Sequence, residues 1–236
     1  MVIILKYNYF WLYFYLITFF SYICTVKKSK QIAVITGDIV NSSVLDEAQK
    51  IFIQNGIEQF KHEGILLRPR FYRGDSFQLA AKPMVALLLA LKFRMEVRRK
   101  NEAADLRVSI GIGEVSSWNE DVLLADGSAF VLSGKNLDNL KKKDLHIIIV
   151  TGNKELDREL ETYCYMADAL IKSFSSVQAN VLFYKLDGIP QDKIAEILNI
   201  SQPSVSKTLK AANWKVIEKF LERYEQIIEK HYGDSE

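Results

Sequence analysis

The chain has 236 residues, with 31 Lys and Arg against 29 Asp and Glu and a net charge of +2. That near balance excludes a chain that is polybasic throughout, so any contact with nucleic acid has to come from a local patch. An apolar fraction of 49% is ample for a core, and the length suits one or two domains. Two cysteines, Cys24 and Cys164, and three scattered histidines, His62, His146 and His231, supply neither a disulfide framework nor a zinc spacing. The histidines read as surface or cap residues, and a reducing cytosol fits the cysteine usage.

Residues 1–29 differ from the rest. Positions 9–26 carry no charge and are mostly aromatic and aliphatic, and Lys27, Lys28 and Lys30 come directly after them. A run of that length is near the lower limit for a membrane span, and the lysines would keep the downstream residues in the cytoplasm. The run lacks a small-residue cleavage site at its end, which argues against a secretory signal. The stretch also lacks Ala, Gly, Pro and Arg, the bias that AT-rich upstream DNA would encode if the start were placed too early. Two readings stand: a membrane anchor over 9–26, or an extension ahead of a folded, cytoplasmic part that begins near Lys30.

From Gln31 the pattern changes. Residues 32–39 are a short β-branched run and read as a buried strand. Residues 45–62 read as a helix with Leu45, Ala48, Ile51, Phe52, Ile57 and Phe60 on its apolar side. Strands are expected at 65–72 and 76–81, joined by a tight turn at Arg73-Gly74-Asp75. A helix at 83–100, a strand at 105–115, a helix at 129–142 and a strand at 145–151 complete a β-α-β-β-α-β-α-β order. That order predicts an α/β layering with a split βαβ arrangement. If the first strand and the hairpin are neighbours, Asp38 and Asp75 fall at one end of the sheet. Two carboxylates so placed suit a magnesium–polyphosphate site, with substrate oxygens and waters completing the shell; both aspartates also suit turns.

A charged helix is expected at 153–171, linking to a second helix at 177–186. The stretch 191–210, QDKIAEILNISQPSVSKTLK, then reads as a helix-turn-helix. Ile194, Ile197 and Leu198 give a stripe at helical spacing, and Ala195 leaves room for the second helix. Asn199 suits a left-handed turn position, Ile200 plugs the turn into the core, Ser201 is an N-cap and Pro203 falls in the first turn. Val205 and Leu209 face inward. Ser201, Gln202, Ser204, Ser206, Lys207 and Lys210 remain outward, of a kind that reaches base edges and phosphates of double-stranded DNA. The plainer alternative is an ordinary helical hairpin. Beyond it, Trp214, Ile217, Phe220, Leu221, Tyr224, Ile227 and Ile228 recur at helical spacing. That helix either packs on the motif or pairs two protomers as a homodimer.

These pieces resemble a known family. Gly37-Asp38-Ile39 and Arg73-Gly74-Asp75-Ser76-Phe77 look like the two metal motifs of class III nucleotide cyclases. Residues 107–115, RVSIGIGEV, and 127–137, GSAFVLSGKNL, are similar to a cyclase strand and the helix after it. With the helix-turn-helix and the Ala211-Ala212-Asn213-Trp214 directly after it, the order resembles the SatD family from about Lys30 onward. The resemblance implies an α+β fold, a ferredoxin-like or palm βαββαβ cyclase-like domain followed by an all-α helix-turn-helix domain. The expected divisions are 1–29, 30–152, a linker helix at 153–174, and 175–236. It implies Mg held by Asp38, Asp75 and the Ile39 backbone, with Gly37 and Gly74 against a nucleotide. The departures matter as much. The cyclase ribose-binding asparagine stands as Val131, and the transition-state arginine as Lys135, which keeps charge without the bidentate fork. LLRPRFYR before Gly74 offers no base-selecting lysine. A DNA-binding transcriptional regulator with a nucleotide-sensing or structural domain is therefore expected, ahead of an active purine nucleotide cyclase in which Lys135 would be the catalytic candidate. A membrane-anchored regulator is the third reading.

Overall fold

A computed structural model describes residues 31–233. The anchor and extension readings for 1–29 lie outside the described residues. The protein is α+β, with a five-stranded mixed sheet and eight α-helices among the described residues.

Strand β1 (Gln31–Val40) is buried at all but its end residues, as a β-branched central strand should be. Helix α1 (Glu47–Glu58) starts at Asp46, whose side chain and that of Gln49 form a reciprocal capping box. It leads to β2 (Ile65–Tyr72) and β3 (Ser76–Ala81), joined by a turn with Arg73 and Gly74 at φ 54° and 84°. Helix α2 (Ala86–Arg98), strand β4 (Asp105–Glu114), helix α3 (Ser128–Lys143) and strand β5 (Ile147–Val150) come next. The sheet order is β2-β3-β1-β4-β5, antiparallel except for the parallel β4–β5 pair. Two βαβ units therefore interleave: β3 lies between β1 and β2, and β1 lies between β3 and β4. Pro69 falls in β2, where it is tolerated because β2 is an edge strand whose pairing is irregular between Leu67 and Arg70.

The two sheet faces are covered differently. Ile32, Val34 and Ala80 pack with Ala129 and Phe130 of α3. Ala33, Ile35, Leu79, Val108 and Ile110 face α1 and α2 in the larger core. Gly111 lets α3 lie close: a Cβ there would come within 2.4 Å of the Ala129 carbonyl.

The remaining helices are α4 (Lys154–Ile171), α5 (Ser176–Lys185), α6 (Gln191–Leu198), α7 (Gln202–Ala211) and α8 (Trp214–Tyr232). The expected linker helix forms as α4, but its Leu156, Leu160, Cys164, Ala167 and Ile171 are buried in the same core as the sheet. Every residue of α2 except Leu88 is buried, because the sheet covers one side of it and the C-terminal helices the other. Its four charged side chains each find partners. Lys92 pairs with Asp187, donates to the Phe183 carbonyl at 3.1 Å and lies over the Phe183 ring. Burial pulls its pKa down, with the Asp187 contact opposing. Arg98 donates to the carbonyls of Lys172 and Phe174 at 3.0 and 2.6 Å. Glu96 accepts from Arg99 at 2.8 Å. Arg94 donates twice to Asp105, both at 2.8 Å, and its Nη1 lies 2.6 Å from Asp168.

Three expectations need correction. In α1, Ile53 and Ile57 are the buried pair, while Ile51 and Phe52 are 49% and 42% exposed; Phe52 is capped instead by the cations of Lys100 and Arg99. His146 is not a surface residue. Its Nδ1 donates to Asp105 at 3.0 Å, since a carboxylate can only accept, and its amide donates to Asp168 at 3.1 Å. Ile197 and Ile200 are 50% and 39% exposed. Ile194 and Ala195 centre the buried stripe of α6, and Ile197 lies about 200° round from Ala195 at 100° per residue. No helix among the described residues is long and apolar enough to cross a membrane.

Candidate functional site

Two regions are candidate sites: the end of the sheet carrying Asp38, and the surface of α7.

At the sheet end, strand pairing does the assembly. Asp38 of β1 stands opposite Ser76 of β3 on one side and opposite Arg107 of β4 on the other. The Ile39 amide donates to the Asp75 carbonyl at 3.1 Å. In an extended strand a residue's N–H and C=O leave on the same edge, so the Ile39 carbonyl also faces the hairpin. Asp38, Asp75 and the Ile39 backbone are thus brought to one end of the sheet, as the strand order requires. Gln54 of α1 pins the hairpin from the other side through the Gly74 carbonyl at 2.7 Å. Gly37 sits under the Phe77 ring, where a Cβ would approach to 2.7 Å; Gly74 at the tip has open space around it.

The surroundings of Asp38 are not legible in the sequence. Its Oδ2 lies 3.2 Å from both Arg107 Nη1 and Lys141 Nζ. Its Oδ1 is buried and accepts no hydrogen bond among the described residues. Burial, together with the nearby carboxylates of Asp38 and Asp138, pushes the Tyr72 hydroxyl up against the opposing charge of Arg73. Asp75 is half-buried, and its Oδ1 accepts from the Ser76 hydroxyl at 3.3 Å. One step further along the strands, Gln78, Thr36 and Ser133 form a hydrogen-bonded polar strip beneath α3. Lys135 is exposed and forms no ion pair among the described residues, and Val131 is 47% exposed. The α3 cation at Asp38 is Lys141, less than two turns further down the helix than Lys135. Arg107 could have been found from an antiparallel register of residues 31–40 on 105–114. Lys141 sits in a lysine run that reads as a solvated helix end.

Among the described residues no group of three His, Cys, Asp or Glu side chains forms a ready-made metal site. The donors present are one buried carboxylate oxygen without a partner, a second carboxylate and a backbone carbonyl. Such a set suits Mg, which keeps several ligand positions for phosphate oxygens and water. It does not suit a metal held by protein alone.

The second site is built on α6 and α7. Asn199, at φ 52°, ends α6. Its amide donates to the Glu196 carbonyl at 3.2 Å and the Ile200 amide to the Ala195 carbonyl at 3.0 Å, the paired bonds of a Schellman ending. Ser201 caps α7 through Ser204 N at 3.3 Å, with Pro203 in the first turn. Val205 and Leu209 are buried. Ser201, Gln202, Ser204, Ser206, Lys207 and Lys210 are all exposed. Gln202 donates to Gln191 at the start of α6 at 3.1 Å, and the Ser201 and Ser204 hydroxyls lie 2.8 Å apart. Nearby Lys193 and Lys219 are paired with Glu196 and Glu222, whereas Lys207, Lys210 and Lys215 form no ion pair among the described residues. The apolar face of α8, Ile217, Phe220, Tyr224, Ile227 and Ile228, is buried against its own chain, and Tyr224 donates to the Pro83 carbonyl at 2.6 Å.

No protein-family model, no curated protein sequence and no solved structure matches the chain.

Proposed function

We propose that the chain is a DNA-binding transcriptional regulator of the SatD kind, reading duplex DNA through α7 and holding a magnesium–nucleotide at the Asp38 end of its sheet. The observation that carries the first part is the segregation on α7. Val205 and Leu209 fill the seam while Ser201, Gln202, Ser204, Ser206, Lys207 and Lys210 are exposed together. A short helix with small polar groups at its start and unpaired lysines further along suits a major groove, the serines and Gln202 toward base edges and the lysines toward phosphates.

The β2-β3-β1-β4 order supports a ferredoxin-like, cyclase-like palm for the α+β part. Asp38 Oδ1, the Asp75 carboxylate and the Ile39 carbonyl would hold the metal, which when bound neutralises polyphosphate charge. Gly74 leaves the hairpin tip open to a ligand. Val131 cannot hydrogen-bond a ribose, and Lys135 has no partner among the described residues that would aim it. Phosphoryl transfer depends mostly on positioning and charge stabilisation, so binding without appreciable turnover is the reading this site favours. Incubation with ATP or GTP and Mn²⁺ is expected to yield no cyclic nucleotide above the Asp75→Ala background; product that this variant abolishes would make the chain a cyclase.

The DNA reading is tested by selecting duplexes from a random pool with the full chain and measuring affinity by fluorescence anisotropy across salt. Gln202→Ala should cost about 1–3 kcal/mol on the selected sequence and little elsewhere. Lys207→Ala should weaken all sequences alike and reduce the salt slope by about one. Unchanged binding when Gln202, Lys207 and Lys210 are replaced together would remove α7 from the interface.

A further inference from the structure

We infer that Lys141 is an exchangeable counter-ion, neutralising Asp38 in the free protein and turning to the phosphates of a nucleoside polyphosphate when a divalent cation binds Asp38. This rests on the nucleotide reading of the Asp38–Asp75 end and adds to it a coupling between metal and nucleotide.

The argument starts from an asymmetry within one carboxylate. Both cations, Arg107 and Lys141, crowd Oδ2 at 3.2 Å, and Oδ1 is buried with no donor among the described residues. The Asp38 side chain is only 9% exposed, so its second oxygen gains little from water. A buried charged acceptor without a donor is unfavourable, and here its lone pairs are what a cation would take.

The two partners of Oδ2 differ in how they are held. Arg107 projects from β4 directly opposite Asp38 and is largely buried, its side chain 20% exposed. Lys141 reaches in from the last turn of α3, and its side chain is 50% exposed. Its ammonium is a compact charge on a flexible four-carbon stem, already partly hydrated, so it can leave Asp38 at small cost. A divalent cation on the same carboxylate would repel it. The phosphates that accompany such a cation would attract it, and they would stand beside the same carboxylate. Lys141 thus supplies a mobile positive charge that already stands at the Asp38 carboxylate.

Exchange makes a prediction of opposite signs. Removing Lys141 takes away a competitor for Asp38, so Mn²⁺ alone should bind more tightly. It also takes away a phosphate partner, so a non-hydrolysable ATP or GTP analogue should bind less tightly in saturating Mn²⁺. Titration calorimetry of the full chain reads both. For Lys141→Met we expect Mn²⁺ alone to bind a few-fold more tightly and the analogue on the order of tenfold more weakly, the size of one lost charge-assisted hydrogen bond. Lys141→Arg should restore analogue binding, and Lys142→Met, one residue along the same helix, should change neither. A Lys141 that merely stabilises the fold would leave both affinities unchanged or lower both, and either result overturns the exchange. A wild-type chain that binds neither Mn²⁺ nor the analogue overturns the nucleotide reading itself, and the exchange with it. A wild-type chain that binds both, with Lys141→Met indistinguishable from it, overturns the exchange alone.

Discussion

Asp105 and Asp38 are both buried, on adjacent strands at the same end of one sheet, and they have opposite surroundings. Asp105 is saturated. Arg94 donates to both of its oxygens, Arg98 donates at 3.0 Å and His146 at 3.0 Å. Burial alone would raise its carboxyl, but the charge and hydrogen bonds of Arg94, with His146 and Arg98, outweigh burial and hold it well below the ordinary carboxylate range. Asp38 has two longer contacts on one oxygen and, among the described residues, no hydrogen bond on the other. A buried carboxylate with every lone pair taken is a structural joint, whereas one with an oxygen left over can still bind something.

The largest test of that contrast falls on the joint. Arg94→Met removes a fully buried cation shared by Asp105 and Asp168, and should destabilise the fold by about 3–5 kcal/mol, since it leaves buried charge uncompensated. Guanidinium denaturation reads it; a loss below about 1 kcal/mol would mean that the Arg94 network is not a structural joint. Acid comes next. The Asp105 carboxyl is depressed in the folded chain, so its contribution is fully present above its unfolded value of about 3.9 and is lost as pH falls toward its folded value. The stability gap between wild type and Asp105→Asn should therefore narrow as pH drops below about 4, in denaturation curves taken at stepped pH. A gap that stays constant down to about pH 2 would contradict the depressed carboxyl.

Asp38→Asn should cost less, about 1–2 kcal/mol, and should abolish Mn²⁺ binding in calorimetry. A variant that keeps its metal affinity would sever Asp38 from the site. Smallest is Lys141→Met, whose half-exposed ion pair should change the unfolding free energy by no more than about 0.5 kcal/mol. A larger loss would make Lys141 part of the joint and not its exchangeable neighbour.

Much of the fold was legible in the sequence because its signals are local. The β-branched run of β1, the Arg73-Gly74 turn and the Asn199–Ser201 junction each declare themselves within a few residues. The pairing of β1 with β3 then carried Asp38 to Asp75. What escaped was decided at a distance. Lys92, Arg94, Glu96 and Arg98 alternate between opposite sides of α2, yet each is buried, because partners as remote as Asp168, Phe174 and Asp187 come to meet them. Ile51 and Ile197 match an apolar period without lying on the face that is covered. Arg107 and Lys141 were hidden for the same reason: their meaning depends on which strand lies beside β1 and where the last turn of α3 ends. Neither can be read from a short window.

The burial of α2 has a consequence for how this protein can be divided. Cutting the chain after Val150 would strip Lys92 of Asp187 and the Phe183 ring, Arg98 of the carbonyls of Lys172 and Phe174, and Arg94 of Asp168. The α+β half would keep Arg94 and Arg98 on Asp105, but Lys92 would lose its ion pair, and the apolar surface that the later helices now cover would be bared. The sheet and the C-terminal helices are therefore not interchangeable cassettes. A recombination that gave either half a new companion would have to rebuild those ion pairs and carbonyl contacts at the same time.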